Sequence, residues 1–128
     1  LVLIKAAGTA GDDPVFTVRQ AQAVDGTGAK ALNFTRIDAK VGAQAGIGPF
    51  TTVTQAAGNT YTDAVSAEAQ AIMVVEFKAE DLDVNNGFDC IQLQIPDTGS
   101  AGAQLLSAIY ILRGGKFNPA LGVNAITD

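Results

Sequence analysis

The sequence predicts an all-β domain, a β-sandwich or jelly-roll-like barrel with extended termini. Gly, Asn, Asp and Pro punctuate the chain at short intervals, and the segments between them alternate apolar and polar residues with period 2 rather than 3.6. The 128 residues, 48% of them hydrophobic, are enough for one sizeable core and too few for two. A single domain follows, divided into an N-terminal arm over residues 1–14, a β core over 15–112 and a C-terminal tail over 113–128.

Leu1, Val2, Leu3, Ile4 and Lys5 form an apolar opening that reads as a strand or an arm. Residues 8–14 (GTAGDDP) break this run before Val15, Phe16 and Val18 open the next segment, and an apolar terminus with only solvent as neighbour suits an arm that reaches to another subunit. Asp25-Gly26-Thr27-Gly28 is a turn whose glycines tolerate positive φ. Over residues 31–41, Leu32 and Phe34 share one face while Ile37, Ala39 and Val41 share the other. The apolar register therefore switches near Arg36, and a β-bulge there reconciles the two halves, since one extra residue flips every side chain after it.

Residues 42–49 are too rich in Gly to be regular, whereas residues 50–54 (FTTVT) are β-branched and predict a strand. Residues 63–70 favour helix by composition but are long enough only for a turn or a loop. Residues 71–79 set Met73, Val75 and Phe77 against Ile72 and Val74, as a central strand would. After a polar turn, residues 88–95 place Ile91, Leu93 and Ile95 inward. The last apolar run, residues 104–112, predicts another core strand because Ile109, Tyr110 and Ile111 are β-formers. In all, roughly six to eight short strands are expected, each giving one face to the core.

Charge and residue type narrow the function classes. Eight Lys and Arg against thirteen Asp and Glu leave a net charge of −5, which argues against nucleic acid or an anionic membrane surface as partner. No apolar run approaches the ~20 residues needed to span a bilayer. The chain has no His and a single cysteine, Cys90, which removes His-based acid–base chemistry, Ser/His/Asp and Cys/His triads, the common zinc sites and an intrachain disulfide. The expectation is a non-enzymatic protein with no cofactor.

Three local patterns still need weighing. Asp97-Thr98-Gly99-Ser100 has the triplet of an aspartic protease, but Pro96 stands where an aliphatic strand residue belongs, so it reads as a turn. Asp81, Asp83 and Asp89 are weak candidates for a hard-cation loop. The spacing fails the EF-hand pattern, because Asn86 stands where the turn Gly should be and Gln92 where the bidentate Glu should be. Arg113, Lys116 and Phe117 put positive charge and an aromatic anchor on the tail of an acidic chain, a combination suited to docking on a partner.

Several phrases carry a family likeness: Val18-Arg19-Gln20-Ala21, Asp25-Gly26-Thr27-Gly28-Ala29-Lys30-Ala31-Leu32, Val53-Thr54-Gln55-Ala56-Ala57, Gly87-Phe88-Asp89-Cys90 and Tyr110-Ile111-Leu112. In them the chain resembles virion proteins from the head-gene region of tailed bacteriophages, and among these the capsid decoration, or cement, proteins. The resemblance implies a homotrimer on the outer surface of the phage head that binds the major capsid protein. Leu1, Val2, Leu3, Ile4, Lys5, Arg113, Lys116 and Phe117 are then the expected contact residues. A neck or tail-tube protein is the alternative, and a carbohydrate-binding or host-adhesion module the second. The last is disfavoured because the chain has no Trp and only two tyrosines, Tyr61 and Tyr110, for stacking on sugars.

Overall fold

The structure, a computed structural model, describes residues 1–8, 13–42, 49–63, 69–96 and 105–113. These residues form an all-β domain with no α-helix among them. Nine strands follow in order: β1 (Val2–Lys5), β2 (Val15–Ala21), β3 (Lys30–Ala31), β4 (Phe34–Val41), β5 (Thr51–Gly58), β6 (Thr60–Thr62), β7 (Ala71–Val74), β8 (Cys90–Gln94) and β9 (Leu106–Ile109). Two short 3-10 turns, Ala79–Asp81 and Val84–Asn86, sit between β7 and β8.

All the strand pairs are antiparallel. One sheet has the order β5-β4-β7-β1-β9, and the other is built on β2, which pairs with β3, β6 and β8. The two sheets share one core. Leu3, Phe34, Ile37, Ala39 and Met73 come from the first sheet, and Phe16, Val18 and Tyr61 from the second. Aromatic contacts fasten them. Phe16 stacks on Phe34 with ring centroids 5.9 Å apart and lies tilted against Tyr61 at 5.5 Å, and Phe77 meets the Phe34 ring edge-on.

The bulge expected at Arg36 is present. Pairing of β4 with β5 shifts register between Phe34, opposite Gly58, and Arg36, opposite Thr54. The shift lets Phe34, Ile37 and Ala39 share one core despite their odd spacing, and all three are buried. The turn at Asp25 also forms as expected. Gly26 and Gly28 have φ of 87° and 67°, and the Thr27 N–H donates to the Asp25 carboxylate.

Two expectations are corrected. Leu1 to Lys5 are no free arm, because β1 lies inside the first sheet, hydrogen-bonded to β7 on one side and β9 on the other. Leu3 and Lys5 are buried, and the Leu1 nitrogen donates to the Val75 carbonyl at 2.9 Å. An apolar strand flanked on both sides satisfies its backbone groups within the sheet, which an arm in water does not. The second correction concerns the 104–112 run, expected in the core. β9 is an edge strand, and Ile109, Tyr110, Ile111 and Leu112 are exposed. Residues 43–48 of the Gly-rich loop expected over 42–49, residues 64–68 of the helical turn or loop expected over 63–70, the Asp97-Thr98-Gly99-Ser100 turn, and Lys116 and Phe117 lie outside the described residues.

Candidate functional site

The sandwich is open along one side. Past Val74 the chain leaves the first sheet: Val75 still points into the core, while Glu76 and Lys78 are exposed. It then runs through the two 3-10 turns before returning as β8 in the other sheet. The segment after β9 comes to the same side, where the Leu93 backbone N–H donates to the Tyr110 hydroxyl. Between these segments lies a groove of about 940 Å³. Its walls include Phe77, Leu82, Ile91, Leu93, Tyr110 and Leu112, and it reaches round the end of the first sheet to Leu1, Val2 and Val74.

Charged groups line the mouth. Arg113 pairs with Glu76, both well exposed, and Lys78 pairs with Glu80 at 3.2 Å. Cys90 is half-buried on the wall. Its thiol donates to Asp89 at 3.3 Å, and that hydrogen bond, with desolvation and the Asp89 charge, pushes the thiol above its ordinary pKa. A thiol held protonated is a poor nucleophile. The Tyr110 hydroxyl is also raised, by burial, with the Leu93 N–H acting in the opposite direction. Gln92 contributes a buried Oε1 that has no hydrogen-bond partner among the described residues. Such a wall can bury an apolar segment and accept one hydrogen bond from it.

The acidic candidates serve separate purposes. Asp81 accepts the Lys78 backbone N–H at the first 3-10 turn. Asp83 pairs with Lys30 and accepts both hydrogen bonds of the Asn86 amide, so its carboxyl lies below the ordinary aspartate range, chiefly through Lys30. Lys30 also lies over the Phe88 ring at 3.9 Å. Asp89 faces Cys90 instead. Among the described residues, no group of three or more acidic, Cys or His side chains converges on a point that could hold a metal ion.

The expected contact residues are dispersed. Leu1, Val2 and Arg113 line the groove, Leu3 and Lys5 are buried, and Ile4 faces outward from the first sheet. Sequence reasoning missed the groove because Phe77, Ile91, Leu93 and Tyr110 read as plain core positions. Their pattern records that they are apolar, and only the end of β7 at Val74 leaves them half-covered. No family model, curated protein or solved structure matches this chain.

Proposed function

We infer that the chain is a structural virion protein, a capsid decoration protein that binds the major capsid protein lattice on the outside of a phage head and stabilises it. One observation carries the reading: the groove between the sheets is apolar-walled and edged by charge pairs of both signs, which suits it to covering a partner segment. The phrase resemblance supports the choice of partner. A ligand that binds only the assembled lattice adds its binding free energy to that state, so many copies stabilise a shell by mass action. Lys5 and Leu3 are withdrawn from the contact set, since β1 is held within a sheet; Leu1, Val2 and Arg113 at the groove remain in it.

A neck or tail-tube protein is the second reading, since it needs the same β core and differs in forming a ring. A sugar-binding module draws less support. Tyr61 is buried against Phe16, and Tyr110 is held at Leu93 rather than standing clear as a stacking platform. The test is co-sedimentation of the purified protein with phage heads lacking it, in unexpanded and expanded forms. Saturable binding to expanded heads at many copies per shell is expected. Absence of binding, or a few copies at one vertex, overturns the decoration reading and favours the neck or tail.

A further inference from the structure

We propose that the outer face of the five-stranded sheet, beside its β9 edge, is the surface on which copies of this chain associate with one another. The register sets Ile72, Ile4 and Ser107 in one row across β7, β1 and β9, with Ile109 on the same face opposite Val2. Leu3, Lys5 and Met73 alternate with these positions and are buried, so this row points away from the core. A sheet face turned to water is ordinarily polar, yet Ile4, Ile72 and Ile109 are all exposed there.

Among the described residues the adjoining edge is also unprotected. β9 ends the strand order, and residues 105–112 (LLSAIYIL) contain no charged residue and no Pro, the usual guards of an open edge. Leu105 is 70% and Leu112 90% exposed. The opposite edge, β5, instead shows Thr51, Thr52 and Thr54 to solvent. From the exposed fractions of Ile4, Ile72, Leu105, Ile109 and Leu112, face and edge together present on the order of 500 Å² per chain, which for two copies comes to the ~1,000 Å² in total that a specific interface must clear.

Charge favours a second copy as the occupant. The chain carries a net charge of −5, but the residues around this face are balanced: Asp38 and Lys40 lie beside Val74 and Ile72 on β4, and Glu76 pairs with Arg113 beyond β7. A partner selected by charge would meet a rim of one sign, whereas a balanced rim lets identical surfaces meet without net repulsion. An antiparallel edge is also self-complementary about a two-fold axis, since each copy offers the other the same row of N–H and C=O groups. The inference stands independently of the capsid reading.

Sedimentation velocity of the full chain over a concentration series tests it, comparing wild type with Ile109→Lys and Ile72→Lys, and with Thr54→Lys on the polar edge as control. Wild type and Thr54→Lys should self-associate alike, while the two Lys variants associate at least tenfold more weakly with an unchanged far-UV spectrum. Should both Lys variants lose that spectrum, Ser107→Glu, at an exposed polar position in the same row, replaces them. A wild-type monomer at every concentration overturns the proposal and leaves this face to another protein or to the chain's own C-terminal residues. Association indifferent to these substitutions overturns it equally.

Discussion

Lys5 and Asp63 form a salt bridge of 3.1 Å whose side chains are 0% and 2% exposed, and it ties the two sheets together. Lys5 ends β1 in the first sheet. Asp63 directly follows β6 in the second, where its backbone N–H donates to the buried Pro14 carbonyl. Removing one partner leaves a charge in a dry site, which costs about 3–5 kcal/mol, whereas replacing both with apolar groups of similar volume is often neutral. Lys5→Met and Asp63→Leu should each lower stability by that order, and the double variant should recover most of the loss. Urea unfolding of the four proteins in the cycle measures it.

Deleting residues 1–5 should abolish cooperative folding. β1 joins β9 to β7 and places Leu3 in the core, so its loss unpairs β9 and opens one side of β7 at once. Domains of this size hold only about 5–15 kcal/mol in reserve. A sharp thermal transition surviving the deletion would contradict the placement of β1.

Tyr61→Phe should keep or raise stability and flatten its loss in alkali. The Tyr61 hydroxyl is buried with no hydrogen-bond partner among the described residues, and burial, with the nearby Asp63 charge, raises its pKa. The folded state then keeps a proton that the unfolded state releases. This contribution is whole below the unfolded tyrosine value and fades as pH rises toward the folded one. Thermal midpoints across the alkaline range, wild type against variant, decide the matter.

Acid should act in the opposite sense through exposed aspartates. Hydrogen bonds from the Thr27 backbone to Asp25, from the Thr52 hydroxyl to Asp38, and from Lys30 to Asp83 hold these carboxyls below their ordinary range. Their stabilisation is present above the unfolded aspartate value and is lost as pH falls through the lower folded values. Asp38→Asn should therefore show a shallower acid dependence of its melting midpoint than wild type, with the difference reduced in high salt.

Gly26→Ala should destabilise by about 1 kcal/mol, the cost of placing a Cβ residue in the left-handed region. Gly26 has φ of 87°, and a Cβ there would meet the Gln92 amide at 2.4 Å. Because that amide is the flexible end of a side chain, backbone strain dominates. Equilibrium unfolding of the variant reads the change directly.

The bulge at Arg36 was legible because an odd spacing between Phe34 and Ile37 leaves a two-residue repeat no other way to bury both. The turn at Gly26 and Gly28 was legible for a similarly local reason, since few residues besides Gly adopt positive φ cheaply. Class, strand character and the want of His chemistry follow from composition and period 2 alone. Which apolar strands lie inside is another matter. Leu1 to Lys5 and residues 105–112 are alike in composition, yet β1 is enclosed between β7 and β9 while β9 has a neighbour on one side only. That difference is set by strand order, a long-range pairing that period and propensity do not encode. The groove has the same origin: Ile91 and Leu93 alternate as core residues do, and only the short span of β7 leaves them facing a gap. Local sequence determined what each segment is; the tertiary structure decided what each one touches.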